Sequence, residues 1–210
     1  MDSTVIEQEC IDELAAEAGI GPHVAEITER AMRGELAFEP ALRERVRLLE
    51  GFHEAKMEQV FRTRITLSPG VRTVTATMRL HGAYCALISG GFTFFTSRVA
   101  VAAGFDMNRA NVLIFERGHL TGRVREPVLG RTAKLEALEG LMAERGLPRH
   151  ATMAVGDGAN DLAMIEAAGI GVAYRAKPFV AEAAPARIDH TDLTSLLYIQ
   201  GYRREEFAAV

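Results

Sequence analysis

The chain has little that would tie it to a membrane, a nucleic acid or an oxidising compartment. No apolar run in its 210 residues approaches the roughly 20 that a membrane-spanning helix needs, and its first residues do not read as a secretory signal. A net charge of -4 supplies no basic surface for nucleic acid. Cysteine is scarce, and Cys10 and Cys85 stand far apart without metal-ligand spacing. Two free thiols in a reducing cytoplasm are therefore expected. Repeats, low-complexity segments and a Pro-rich linker are missing as well. What is present, 48% hydrophobic and 25% charged residues, suffices for a sizeable core in one domain with an inserted subdomain.

Two patterns follow one another along the chain. From Glu7 to about Arg64 the sequence reads helical, with breaks at Gly19 to Pro22 and at Gly34. There Ile27 and Ala31, then Leu42, Val46 and Leu49, recur at three- and four-residue spacing. From Ser68 onward strands and helices alternate. The pattern predicts helices over 69–80, 93–103, 132–145, 161–168 and 192–198, and strands over 83–88, 111–115, 119–124, 151–155 and 170–172. Glu116, Arg117 and Gly118 form a turn signal between the second and third of those strands. Such alternation implies an α/β protein with a parallel sheet and crossover helices.

The segment Gly156-Asp157-Gly158-Ala159-Asn160-Asp161 carries the most chemistry. It joins a short apolar strand to a helix, so Asp157 stands at a strand's carboxyl end, where open α/β sheets hold ligands. Asp161 lies one helical turn on. Paired carboxylates at a polar crevice suit a hard divalent cation such as Mg2+, which takes oxygen ligands and often bridges to phosphate. A glycine turn with an Asn-Asp helix cap is the plainer alternative. Ser89, followed by Gly90 and Gly91 at the end of another strand, could hold a phosphate oxygen or form a plain turn. Lys134 could neutralise phosphate or lie on the surface, and Asp2, Ser3 and Thr4 could merely cap a helix.

In order, Asp2-Ser3-Thr4, Ser89-Gly90-Gly91, Lys134 and Gly156 to Asp161 resemble the four motifs of the haloacid-dehalogenase-like phosphohydrolases. The local sequence is similar to the phosphoserine phosphatase family in particular, through residues 2–14, 31–38, 42–46 and 88–92. The resemblance implies a doubly wound, Rossmann-like parallel-sheet core (residues 1–9 and 66–210) with an inserted helical cap (residues 10–65). It also implies Mg2+-dependent hydrolysis of phosphoserine, the last step of serine biosynthesis, through an aspartyl-phosphate. Asp2 then matches the acid/base, with its backbone carbonyl, Asp157 and Asp161 at the metal. Ser89, Gly90 and Lys134 match the phosphoryl-holding groups, and Asn160 a polar neighbour of the substrate. Glu9 matches the partner of the substrate's ammonium and Arg45 the clamp on its carboxylate, for which a planar guanidinium is suited. Met32 and Phe38 match apolar residues that close over the site. The plainer readings are a surface helix charge for Arg45 and ordinary cap core for Met32 and Phe38.

The first motif of the family reads Asp-x-Asp-x-Thr, and here Met1 stands at the first x. The nucleophilic aspartate, and the central apolar strand that carries it, would precede Met1. The expectations are therefore a sheet with its first core strand missing, two exposed strand edges and a 210-residue chain of little activity. Two alternatives stand beside this reading: a non-catalytic phosphoserine binder, and a phosphatase of another small phosphomonoester. Neither a nucleic acid nor a membrane is an expected partner. A homodimer is carried as an expectation that no motif addresses.

Overall fold

A computed structural model of the protein describes residues 1–32, 35–130 and 132–210. Gly34, read above as a break, lies outside the described residues. The helical stretch consists of α1 (Cys10–Ala18), α2 (Gly21–Met32), α3 (Phe38–Arg47) and α4 (Glu54–Arg64). Gly19 ends α1 in the left-handed conformation at φ 73°, where a glycine carries no Cβ penalty. One face of each helix turns inward: Leu14 from α1, Val46 from α3, and Met57 and Val60 from α4 are fully buried.

The chain enters and leaves this helical stretch through one short antiparallel contact. Ile6 bridges Leu67, with the Glu7 N–H donating to Thr66 O at 3.1 Å and the Ser68 N–H to Val5 O at 2.9 Å. The alternating part follows as α5 (Val71–Leu80), β1 (Ala86–Phe92), α6 (Thr93–Ala103), β2 (Met107–Asn111), β3 (Leu113–Glu116), β4 (His119–Val124), α7 (Ala133–Arg145), β5 (Met153–Gly156), α8 (Leu162–Ala167), β6 (Ile170–Tyr174), α9 (Pro178–Ala183), β7 (Ala186–Ile188) and α10 (Ser195–Ile199).

The parallel strands form two ladders. β1 pairs with β2, and β5, β6 and β7 pair in that order. No ladder joins β1 to β5 among the described residues, so each keeps one unpaired edge. The expectation of a sheet interrupted at its centre describes this arrangement. β3 and β4 make an antiparallel hairpin turned by Arg117 and Gly118, both at positive φ (51° and 79°), the conformation that matches strand twist in a two-residue turn. That hairpin lies on the helical stretch, not on the sheets. The Gly51 N–H donates to Leu120 O at 2.8 Å and the Leu120 N–H to Phe52 O at 2.9 Å.

Several elements differ from the sequence reading. The strand expected over 111–115 is divided, because Asn111 ends β2 and Leu113 opens β3. β2 itself, Met-Asn-Arg-Ala-Asn, is too polar to show a strand pattern, and α9 and β7 are only 6 and 3 residues long. The helix expected from Pro69 begins at Val71, since Gly70 stands at φ 86°.

Helix α8 packs so closely on β6 that a Cβ at Gly171 would lie 2.1 Å from the Ile165 carbonyl oxygen, whereas one at Gly140 on α7 would meet nothing within 4 Å. Gly171→Ala should therefore lower the urea midpoint, by about 1–3 kcal/mol of overpacking. Gly140→Ala should raise it, by roughly 0.5–1 kcal/mol of restored helix propensity. Equal effects of one sign would contradict this packing.

Candidate active site

The carboxyl ends of β1 and β5 open into one cavity of about 220 Å³. Its walls include Asp2, Glu9, Phe38, Arg45, Ser89, Gly90, Lys134, Asp157, Asn160 and Asp161. Every site residue singled out in the sequence is thus brought to one place, except Met32, which ends α2 but whose side chain lies outside the described residues.

On the β5 side the turn folds around Asp161, which is 3% exposed. Its Oδ2 accepts the N–H of Asp157 at 3.3 Å and of Gly158 at 3.1 Å, and its Oδ1 accepts Lys134 Nζ at 2.5 Å. A Cβ on Gly156 would lie 2.2 Å from the Asp161 carboxyl carbon. Only glycine lets the aspartate fold back this far. Both oxygens of Asp161 accept protein donors, Oδ1 one and Oδ2 two, so Oδ1 keeps a lone pair facing away from Lys134. Asp157 is oriented from the chain's first turn, where Thr4 Oγ1 donates to its Oδ1 at 2.7 Å.

On the β1 side the Gly91 N–H donates to Ser89 Oγ at 3.0 Å. A Cβ at Gly91 would touch Ser89 Oγ at 3.2 Å and Asp2 Oδ2 at 3.4 Å, so hydroxyl and carboxylate crowd the same glycine. Burial raises the Asp2 carboxyl above its ordinary range, opposed first by the ammonium of Met1, then by hydrogen bonds from Cys10 and the charge of Lys134. Asp2 Oδ1 is sealed from solvent and has no hydrogen-bond partner. A buried, unsatisfied carboxylate oxygen is costly unless something else answers it.

The helical stretch supplies the opposite wall. Glu9 receives a hydrogen bond from Ser3 Oγ at 2.6 Å, and Ser3 adopts the left-handed region at φ 53°. Crowding by protein, then the charge of Asp2, pushes the Glu9 carboxyl up to about 7, against the Ser3 hydroxyl; solvent that reaches it at the cavity mouth tempers the shift. Arg45 is held by Nε donating to Ala41 O at 3.2 Å and Nη1 to Thr28 Oγ1 at 3.4 Å. Burial lowers its pKa, and Asp12 and Glu9 answer its charge. Phe38, the first residue of α3, lies over the β1 turn, its Cζ 3.1 Å from where a Gly90 Cβ would be.

The donor set fits a hard cation. The Asp2 backbone carbonyl, expected above as a ligand, and Asp157, with one oxygen unengaged by Thr4, are oxygen ligands only. Among the described residues no three acidic, His or Cys side chains converge as a complete metal cage, and Mg2+ needs none, since it keeps several waters and takes one or two carboxylates. Sequence reasoning passed over two residues here. Thr4 belonged to a quoted motif without receiving a part, and Cys10, buried behind Asp2, gave no signal beyond an ordinary helix position.

The geometry can be set beside known proteins. Residues 1–166 match the model of the haloacid dehalogenase-like hydrolase family. The phosphoserine phosphatase of Streptomyces coelicolor is 44% identical over 209 residues, 100% of this chain and 51% of that protein. That of Streptococcus thermophilus is 44% identical over 199 residues, covering 95% of this chain and 92% of the other. The chain thus spans about half the length of the first relative and nearly all of the second. A solved phospho-aspartyl intermediate analogue of phosphoserine phosphatase superposes with a TM-score of 0.87 at 40% identity, covering 95% of each chain. A substrate-bound phosphoserine phosphatase complex does so with the same TM-score and identity, covering 95% of this chain and 94% of that one. By these matches the chain belongs to the haloacid dehalogenase-like hydrolases, in the branch whose curated members are phosphoserine phosphatases.

Proposed function

We propose that the protein hydrolyses phosphoserine to serine and phosphate, with residues 10–65 acting as the cap and the remainder as the catalytic core. The observation that carries this reading is the sorting of charge around one cavity. Phosphate-facing groups (Ser89, Gly90, Lys134) lie on the core side, and a carboxylate and a guanidinium (Glu9, Arg45) on the helical side. Phosphoserine carries the matching phosphate, ammonium and carboxylate. An ester lacking the carboxylate leaves the half-buried Arg45 with nothing to clamp.

Each residue then has a part. Ser89, the amides of its turn and Lys134 hold the phosphoryl oxygens and stabilise their growing charge. Asp2, its pKa raised by burial, is suited to give a proton to the leaving serine oxygen and to take one from water afterwards. Asp2, through its backbone carbonyl, and Asp157 would hold Mg2+, with Asp161 in support; such a cation would supply positive charge against the phosphate. Asn160 reaches across toward Gly90, its Nδ2 3.9 Å from that residue's Cβ position. Phe38 excludes water above it. In the family pattern the nucleophile is the aspartate two residues ahead of the acid/base that Asp2 matches, the position before Met1. A reducing cytoplasm suits the two free thiols, and among the described residues no helix is long and apolar enough to cross a membrane.

Substrate choice tests the proposal. Phosphate release is compared for phosphoserine, phosphothreonine and phosphoethanolamine, using the 210-residue chain and a version extended by an apolar strand ending in Asp ahead of Met1. The extended protein should turn over phosphoserine best and phosphoethanolamine worst, and the shorter chain should be nearly inactive. Equal rates on phosphoserine and phosphoethanolamine would remove Arg45 from its part. Because Glu9 must be ionised to hold an ammonium and its carboxyl is pushed above its ordinary range, KM for phosphoserine should rise as pH falls below neutral. KM for an aryl phosphate, which has no ammonium, should not follow. Glu9→Gln should abolish that difference, raising KM for phosphoserine roughly ten-fold, the value of one charge-assisted hydrogen bond. Asp157→Asn should weaken Mg2+ binding, read by calorimetry; an unchanged affinity would exclude it as a ligand.

A further inference from the structure

The Ser89–Gly91 turn leaves the β1–β2 ladder. Ile88 faces Arg109 and Phe92 faces Asn111, so four steps along β1 are matched by two along β2. A bulge of this kind frees backbone groups that the ladder would otherwise satisfy, and inside a protein those groups need other partners. The Gly90 carbonyl finds one in a side chain. Asn111, the last residue of β2 and 2% exposed, donates from Nδ2 to Gly90 O at 2.8 Å. The Oδ1 of the same amide accepts the N–H of Leu129 at 2.7 Å, in the segment that runs into α7 and Lys134. One buried planar group thus joins the two chain segments that carry the phosphate-facing residues.

We infer that Asn111 is a positioning residue for the phosphoryl site, fixing the Gly90–Gly91 peptide plane and the approach to α7 at once. In a trans peptide the carbonyl and the following N–H point in opposite directions. Anchoring the Gly90 carbonyl on Asn111 therefore aims the Gly91 N–H the other way, toward Ser89 Oγ and the cavity, where it lies 3.0 Å from that hydroxyl. The Leu129 bond keeps the start of α7, and with it Lys134, in step with that turn. An apolar or shortened side chain at 111 leaves a buried carbonyl and a buried N–H unsatisfied on opposite sides of the site. This inference rests on the reading that the cavity holds a phosphate ester.

The test separates positioning from mere folding through the pH behaviour of one variant. In Asn111→Asp one oxygen still accepts the Leu129 N–H, but the other faces the Gly90 carbonyl, oxygen against oxygen, unless the carboxyl is protonated and donates. Calorimetric titration of the 210-residue chain with inorganic phosphate in Mg2+ gives the affinity, and thermal unfolding is followed in parallel. At pH 8 Asn111→Asp should bind phosphate on the order of ten-fold or more below wild type. As pH falls toward 5, the ratio of its affinity to that of wild type should climb toward one. Asn111→Ala should be weaker at every pH, with a flat ratio. An Asp variant whose ratio does not change with pH, or an Ala variant that binds as wild type does, overturns the inference and leaves the phosphatase reading intact. If Asn111→Ala does not fold, the Asp ratio decides alone. A folded wild-type chain that binds no phosphate overturns the phosphatase reading, and this inference with it.

Discussion

Asp161 is folded back beneath the β5 turn, and its contacts set the position of nearly everything else at the site. One oxygen carries Lys134 and the other carries two backbone N–H groups of the turn that presents Asp157. Lysine and aspartate are both almost wholly buried, at 8% and 3% exposure. Breaking such a pair by removing one partner typically costs about 3–5 kcal/mol, because the other charge is left stranded. The arrangement requires glycine at 156, where any Cβ would overlap the carboxylate. Lys134 and the turn that presents Asp157 are in this way built around one acid.

The rest of the cavity follows from how the helical stretch is tethered. Both of its connections to the core pass through the Ile6–Leu67 contact, three residues before Glu9 and shortly after α4 ends. The β3–β4 hairpin is joined to the same helices by backbone hydrogen bonds at Gly51 and Leu120. Phe38 meets the Gly90 turn as part of a packed body that is also held to α6, by the Arg98–Glu58 ion pair at 3.0 Å and the Phe61–Phe95 ring contact.

Much of this was legible in the sequence, for reasons that differ by element. Helix α6 and strand β4 appear with the bounds their apolar patterns predict. The Gly156–Asp161 turn was legible because its chemistry and its glycines lie in one contiguous segment. Asn111 was not. It sits in a polar five-residue strand with no periodicity, and its value comes from two partners 21 and 18 residues away. The pairing of Lys134 with Asp161 was equally hidden, since each residue suggested a ligand of its own. Boundary shifts at α5 and β5 come from local backbone demands, a positive φ at Gly70 and a short 3-10 turn at Arg149–Ala151, that apolar spacing does not report. Two ladders in place of one sheet reflect that, among the described residues, no strand is hydrogen-bonded to both β1 and β5.

The account stands on the sorting of one substrate's three charged groups within one cavity. Its most direct test is a crystal structure of the protein with phosphoserine, using Mn2+ in place of Mg2+ so that anomalous scattering locates the cation. The predicted result has the phosphate between Ser89, Gly90 and Lys134, the cation on Asp2 and Asp157, the ammonium on Glu9 and the carboxylate on Arg45. Phosphoserine bound elsewhere, or lying in this cavity with its carboxylate away from Arg45 and no cation on Asp157, would contradict it.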